Sequence, residues 1–88
     1  MKDNHLPPHT VLESPDLVAF ISQTTSFQPR PFIREQDHRV CFAFDTDVSE
    51  AIEEFYRNPS IPILDFCKNL KNIRSAIFNM KGTGGRHG

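Results

Sequence analysis

The sequence predicts a small α+β domain in which a β-hairpin packs against helices, in the order α-β-β-α-α. Val40 to Phe44 alternate large and small apolar residues, which is typical of a strand. Residues 61–81 carry apolar residues at spacings of three and four, which is typical of one face of a long helix. A chain of 88 residues allows one domain.

Both ends of the chain are poor in large apolar residues, so we expect the core to lie between them. Residues 1–12 are predicted to form a disordered tail, residues 13–81 the domain, and residues 82–88 a flexible glycine-rich tail. A core built from about 70 residues is marginal by itself, so a partner chain is a natural source of further stability.

The first helix is predicted near residues 15–24. Ser14 suits the N-cap, Pro15 suits the first helical position, and Asp16 favours the positive end of the helix. One face at spacings of three and four is formed by Leu17, Phe20 and Ile21. Because residues 17–21 are continuously apolar, a strand is the competing interpretation.

A hairpin follows, with its second strand at Val40–Phe44 and its first near residues 27–34. Pro29 and Pro31 indicate that the first strand is an edge, because proline lacks the N–H that a ladder requires. Residues 35–38 are polar and fit the turn.

The second helix is predicted near residues 48–57. Asp47 followed by Glu50 resembles a capping box, and Asn58-Pro59 ends the helix. Glu53 and Arg57 form a favourable i, i+4 pair. Its inner face is predicted to consist of Val48, Ile52, Phe55 and Tyr56.

The third helix is predicted to begin near Pro62 and to stop at Gly82, with Asp65 in its first turn and Lys81 in its last. Its apolar face, here called the seam, consists of Ile63, Phe66, Leu70, Ile73, Ile77 and Met80. The seam spans fewer than three heptads and is too short for a coiled coil. It is interpreted as a core spine that a dimer interface can extend.

Two strands make a poor sheet, because an isolated hairpin is marginal in water. Either helices cover the hairpin in a monomer, or two chains pair through strand edges or through their third helices. The sequence analysis favours the homodimer.

The charges are unevenly distributed. Residues 1–56 hold ten acids and four bases, whereas residues 57–88 hold six bases and one acid. This asymmetry fits three interpretations: contact with an anionic partner, head-to-tail pairing of two copies, or solvated faces without a partner. The candidate contacts with an anionic partner are Lys68, Lys71, Arg74 and Lys81, with Arg30, Arg34 and Arg39 as further candidates. The sequence pI of about 6.4 lies below the value above ~9 that is typical of nucleic-acid-binding domains.

Metal binding was weighed at Asp45-Thr46-Asp47, a D-x-D pattern. Capping of the second helix explains the same residues better. The four histidines do not share a zinc-binding spacing with the cysteines. No catalytic residue, metal ligand or cofactor site is predicted.

Cys41 and Cys67 lie among apolar neighbours and are interpreted as two reduced core thiols, which suits a cytoplasmic protein. The sequence shows neither a signal-peptide pattern nor an apolar run near the ~20 residues of a membrane span.

The run from Arg39 to Lys81 resembles a small group of uncharacterised prokaryotic domains. The matching segments are Val40-Cys41-Phe42-Ala43-Phe44-Asp45, Phe55-Tyr56-Arg57-Asn58, and Leu70-Lys71-Asn72-Ile73-Arg74-Ser75-Ala76-Ile77-Phe78. The resemblance covers about half the chain and implies a shared α+β fold, with no catalytic residue carried across.

The leading hypothesis from the sequence is a non-enzymatic interaction or assembly module, and the alternative is an accessory nucleic-acid-binding protein.

Overall fold

The computed structural model describes residues 10–85, which form an α+β fold with a three-stranded antiparallel sheet and three helices. The elements in chain order are β1 (Thr10–Leu12), α1 (Pro15–Thr24), β2 (Arg30–Ile33), β3 (Val40–Phe44), α2 (Ser49–Tyr56) and α3 (Ile63–Gly85). The predicted fold class is confirmed, and one strand is added at its start.

The sheet has the order β1-β3-β2, so β3 is the central strand. In β1, Thr10 lies opposite Phe44 and Leu12 lies opposite Phe42. Residues 10–12 therefore belong to the sheet, and the prediction of a disordered tail is wrong for them. Three residues are too few to show an alternating pattern, and this strand is defined by pairing with an edge of β3 that the hairpin leaves open. The remainder of that tail lies outside the described residues.

All five residues of β3 are buried, as expected for a central strand whose two faces are both covered. Val40, Phe42 and Phe44 belong to the core cluster that contains residues of the helices. Cys41 and Ala43 have the opposite parity and face the other side of the sheet. The predicted alternation of large and small faces is confirmed.

The outer edge of β2 is short of hydrogen-bond donors. The backbone N–H of Arg34 donates to the carbonyl of Arg39 at 2.8 Å, and paired positions alternate along an antiparallel ladder. Pro31 and Ile33 therefore direct their backbone groups away from β3. Since Pro31 has no N–H, the edge is protected against pairing with another strand. This geometry disfavours a dimer formed by joining β2 edges.

Helix α1 begins as predicted. Ser14 is the N-cap, and its side chain accepts from the N–H of Leu17 at 3.5 Å, while Pro15 occupies the first turn. The residues Leu17, Val18, Ala19, Phe20 and Ile21 are all buried. A continuous apolar run is compatible with a helix here because α1 contacts both α2 and α3 and also contributes to the core with β3.

Helix α2 begins one residue later than a capping box at Asp47 requires. Its N-cap is Val48, which makes no side-chain capping bond, and the Asp47 carboxylate accepts from the backbone N–H of Ser49 at 2.9 Å and from the Ser49 hydroxyl.

The predicted inner face of α2 is corrected at Tyr56, which is 73% exposed. Phe55 packs against the core, and its ring meets that of Phe20 edge to face at 5.5 Å.

Helix α3 begins as predicted, because the Pro62 carbonyl accepts from the N–H of Phe66 at 3.1 Å. The Gln23 side-chain amide also donates to this carbonyl at 3.3 Å and ties α1 to the start of α3. The helix does not stop at Gly82 but continues to Gly85, which corrects both the predicted end and the start of the glycine-rich tail. Residues 86–88 lie outside the described residues. None of the helices within residues 10–85 is long and apolar enough to span a membrane.

The seam of α3 is a core element. Ile73 is buried, and four further residues pack against the core: Phe66, Leu70, Ile77 and Met80. The exception is Ile63, which is 64% exposed in the first turn of α3. Ile63 therefore lies outside the core of the chain, and its predicted alternative place in a dimer interface stays a prediction.

Candidate functional site

The arginines of the first two thirds of the chain are all held by carboxylates. The ion pairs are Arg30–Asp45 at 2.7 Å, Arg34–Asp37 at 2.6 Å, Arg34–Glu13 at 2.7 Å, Arg39–Asp37 at 3.6 Å, Arg39–Glu13 at 3.7 Å and Arg57–Glu54 at 3.0 Å. The three hairpin arginines thus share three carboxylates. They are less available to an anionic partner than the sequence analysis expected.

The cations of α3, unlike these arginines, are not held by carboxylates of the described residues. Lys68, Lys71, Arg74 and Lys81 are all exposed. Within the part of the chain that the structure describes, none of these four forms an ion pair or a side-chain hydrogen bond. The structure therefore separates the predicted basic residues into a neutralised group on the hairpin and an available group on α3.

The available cations share one side of α3 with exposed apolar residues. This side, here called the α3 strip, consists of Leu64, Cys67, Lys71, Arg74, Phe78 and Lys81. Their spacings of three and four place them along one side of a helix. Leu64 is 80% exposed and Phe78 is 76% exposed. The strip therefore carries one large exposed apolar group towards each end, with cations between them.

A shallow depression runs along the middle of the α3 strip, with a volume of about 480 Å³. It is lined by Cys67, Leu70, Lys71, Arg74, Ser75, Phe78 and Asn79, all of which belong to α3. A surface offered by a single helix suits the side chains of an opposing element better than an enclosed small molecule.

The α3 strip was missed at the sequence level, although the sequence carries a signal for it. Each strip residue directly follows a seam residue, as Leu64 follows Ile63 and Phe78 follows Ile77. One residue corresponds to a rotation of about 100° around a helix, so the strip repeats the seam's spacing on a different side. The sequence analysis judged the phenylalanines to be core residues, and Phe78 corrects that interpretation.

A second candidate surface lies beside α2. This surface, here called the α2 groove, has a volume of about 640 Å³ and is lined by Thr24, Thr25, Phe27, Asp47, Val48, Glu50, Ala51, Glu53, Glu54 and Arg57. Four carboxylates face one guanidinium in this lining. The exposed apolar part of the lining consists of Phe27, with the partly buried Ala51, whereas Val48 is buried beneath it. The groove is therefore mainly acidic, with a small apolar part.

The D-x-D pattern is not assembled as a cation site. Asp45 forms its ion pair with Arg30, and Asp47 accepts from Ser49 at the start of α2. Among residues 10–85, the structure shows no group of three or more His, Cys, Asp or Glu side chains placed to hold a metal ion.

The two cysteines are both free but differ in environment. Cys41 is buried on the side of the sheet opposite Phe42 and Phe44, and burial raises the pKa of its thiol. Cys67 is exposed within the α3 strip, so its prediction as a core thiol is wrong. The sequence pattern misled because Cys67 follows Phe66, a seam residue, and lies one step further around α3.

Comparison of the chain with protein-family models, with curated proteins and with solved structures finds no match. The resemblance to a group of prokaryotic domains therefore stays a prediction. The candidate site rests on the geometry of the described residues alone.

Proposed function

We propose that this protein is a non-enzymatic interaction or assembly module that uses the α3 strip to bind an acidic protein surface. The single observation that carries the proposal is the contrast in charge pairing. The arginines at positions 30, 34, 39 and 57 are paired within the fold, while the four cations of α3 stand exposed beside Leu64 and Phe78.

The mixture of groups on the strip favours a protein partner. Leu64 and Phe78 are aliphatic and aromatic anchors at the two ends, about 21 Å apart along the helix axis at the usual rise per residue. Lys71 and Arg74 lie between them. Apolar anchors surrounded by charges are typical of a groove or helix face that binds an amphipathic segment.

Nucleic-acid binding is the second candidate, and one observation favours it. Phe78 is exposed on the same side of α3 as Arg74 and Lys81, and an aromatic ring among cations can stack on the base of a single strand. Leu64 and Ile63 have no role in such a contact, and for this reason we place the protein partner first.

Fluorescence anisotropy with two labelled probes tests the proposal. One probe is an acidic amphipathic helical peptide of leucine and glutamate, and the other is a single-stranded RNA of similar charge. We expect the peptide to bind at 50 mM salt and both Arg74→Glu and Phe78→Ala to weaken it about tenfold or more.

Matched controls lie outside both the strip and the groove. Arg30→Glu makes the same charge change on an arginine that is already paired, and Tyr56→Ala removes an aromatic ring of similar exposure. Neither is expected to alter peptide binding. RNA binding without peptide binding would replace the proposal by the second candidate, and binding of neither probe would overturn both.

A further inference from the structure

We infer that the acidic surface recognised by the α3 strip is the α2 groove of a second copy of this chain, so that copies associate head to tail. This inference rests on the function proposed above. The two surfaces are complementary in net charge. The groove lining carries four carboxylates and one guanidinium, with Glu53 and Glu54 sharing Arg57 and with Asp47 bonded to Ser49. The strip with neighbouring Lys68 carries four cations and no acid.

The two surfaces are complementary in apolar content as well. The strip offers Leu64 and Phe78 as exposed apolar groups, and the groove offers Phe27 and the partly buried Ala51. A volume of about 640 Å³ accommodates one of the two groups, because the eight residues of α2 span about 12 Å along the helix axis and the groups lie about 21 Å apart. Burial of such groups supplies affinity, while the surrounding charges supply orientation and rate of encounter.

The strip and the groove of one chain do not satisfy each other. Helices α2 and α3 both pack on α1 but make little contact with each other. Leu64 and Phe78 remain largely exposed in the single chain. A second copy is therefore required to bring the two surfaces together.

Pairing of two strips is disfavoured by charge. Consider two strips packed antiparallel about a two-fold axis. Lys71 lies midway between Leu64 and Phe78 along the helix, so the Lys71 residues of the two copies would meet, with Arg74 close by. Four cations would then face one another without an acid, and like charges in an interface are unfavourable. The head-to-tail arrangement places the same cations against carboxylates.

A head-to-tail contact is heterologous, so it leaves one free groove and one free strip at the ends of any assembly. Association therefore continues beyond two copies until a ring closes or the concentration limits growth. This behaviour distinguishes the inference from an ordinary two-fold dimer, which stops at two.

Sedimentation velocity and light scattering at several protein concentrations test the inference. At 50 mM salt we expect species larger than a dimer, and at 500 mM salt we expect a shift towards the 10.1 kDa monomer. A strip variant, Lys71→Glu with Arg74→Glu, and a groove variant, Glu50→Lys with Glu53→Lys, should each be monomeric alone. Glu50→Gln with Glu53→Gln is a milder groove variant, and circular dichroism checks that each variant is folded.

Mixing the strip variant with the milder groove variant, Glu50→Gln with Glu53→Gln, is the decisive step. The strip variant retains an intact groove and the milder groove variant retains an intact strip, while the two altered surfaces do not attract each other, so the equimolar mixture should form a 1:1 complex that grows no further. A groove variant that still forms a dimer by itself would overturn the inference in favour of strip pairing. A wild-type chain that is monomeric at low salt would also overturn it, whereas the proposed function would stand if the acidic peptide still bound.

Discussion

The guanidinium of Arg34 forms a two-point ion pair with Asp37 across the hairpin turn, from Nε to Oδ1 at 3.1 Å and from Nη2 to Oδ2 at 2.6 Å. Nη2 also donates to Glu13, which follows β1, at 2.7 Å. One side chain thus connects the turn between β2 and β3 to the end of β1. These contacts raise the pKa of Arg34, first through Asp37 and then through Glu13.

The pair predicts an acid-dependent loss of stability. The hydrogen bond from Arg34 lowers the pKa of Asp37 from 3.8 to about 2. A carboxyl group with a depressed pKa in the folded state contributes stability that is present above the unfolded pKa and is lost as the pH falls through the folded pKa. We expect urea unfolding to show that Asp37→Asn is less stable than the wild type at pH 5, and that this difference shrinks between pH 4 and pH 2.

Glu35→Gln in the same turn is the control, because Glu35 is exposed and forms no ion pair with the described residues. A difference between wild type and Asp37→Asn that is constant from pH 5 to pH 2 would contradict the prediction.

Two isoleucines of α3 are expected to respond to the same substitution by different amounts. Ile73 is buried among residues of α1 and β3, whereas Ile63 is 64% exposed. Ile73→Ala should lower the free energy of unfolding by about 2–4 kcal/mol, since it removes buried methyl groups and leaves a cavity. Ile63→Ala should cost less than about 1 kcal/mol. Denaturation in high salt, where association is weak, measures both, and equal costs would show that the seam is misassigned.

We expect the folded protein to have a single reactive thiol among its two cysteines. Cys67 is exposed, while Cys41 is buried and its raised pKa disfavours the thiolate that reacts. An aromatic disulfide reagent at pH 8 should modify one thiol rapidly and the second only when the protein unfolds. Cys67→Ser should abolish the rapid phase, and persistence of that phase would show that Cys41 is accessible.

The replacement of Gly82 by alanine is expected to stabilise the protein. A Cβ atom placed there meets nothing within 4 Å, and α3 continues through this position. Gly82→Ala should therefore increase helicity and stabilise the protein by roughly 0.5–1 kcal/mol. If the helix instead ended at Gly82 with a left-handed residue, as the sequence predicts, alanine would destabilise it. Thermal unfolding followed by circular dichroism distinguishes the two outcomes.

The predictable part of the fold consists of elements with strong local signals. Ser14-Pro15 marks the start of α1, and the alternation in Val40–Phe44 marks β3. Strand β1 could not be predicted, because three residues acquire their conformation by pairing with Phe42–Phe44 rather than from their own pattern.

Periodicity identifies the apolar side of a helix but not how far the core extends along it. Tyr56 and Ile63 both lie at helix ends that project beyond the core. Both have the spacing of an apolar helix face, but both side chains are exposed. The candidate site could be predicted only in part, because a sequence pattern does not show which side chains are paired. Its cations follow from composition. The tertiary structure is required to distinguish Arg34, which is paired, from Arg74, which has no ion pair with residues 10–85.

The placement of Ile73 has a consequence for how the chain folds during synthesis. Helices α1 and α3 make the most extensive contact between any two helices of residues 10–85, and Ile73 lies in one cluster with Leu17. The ribosome releases α1 and all three strands before it releases α3. Phe20, Phe42 and Phe44 therefore lack a large part of their cover until the last quarter of the chain emerges. Contacts of such long sequence separation slow folding, and the nascent chain is most exposed to aggregation and to chaperones during this interval.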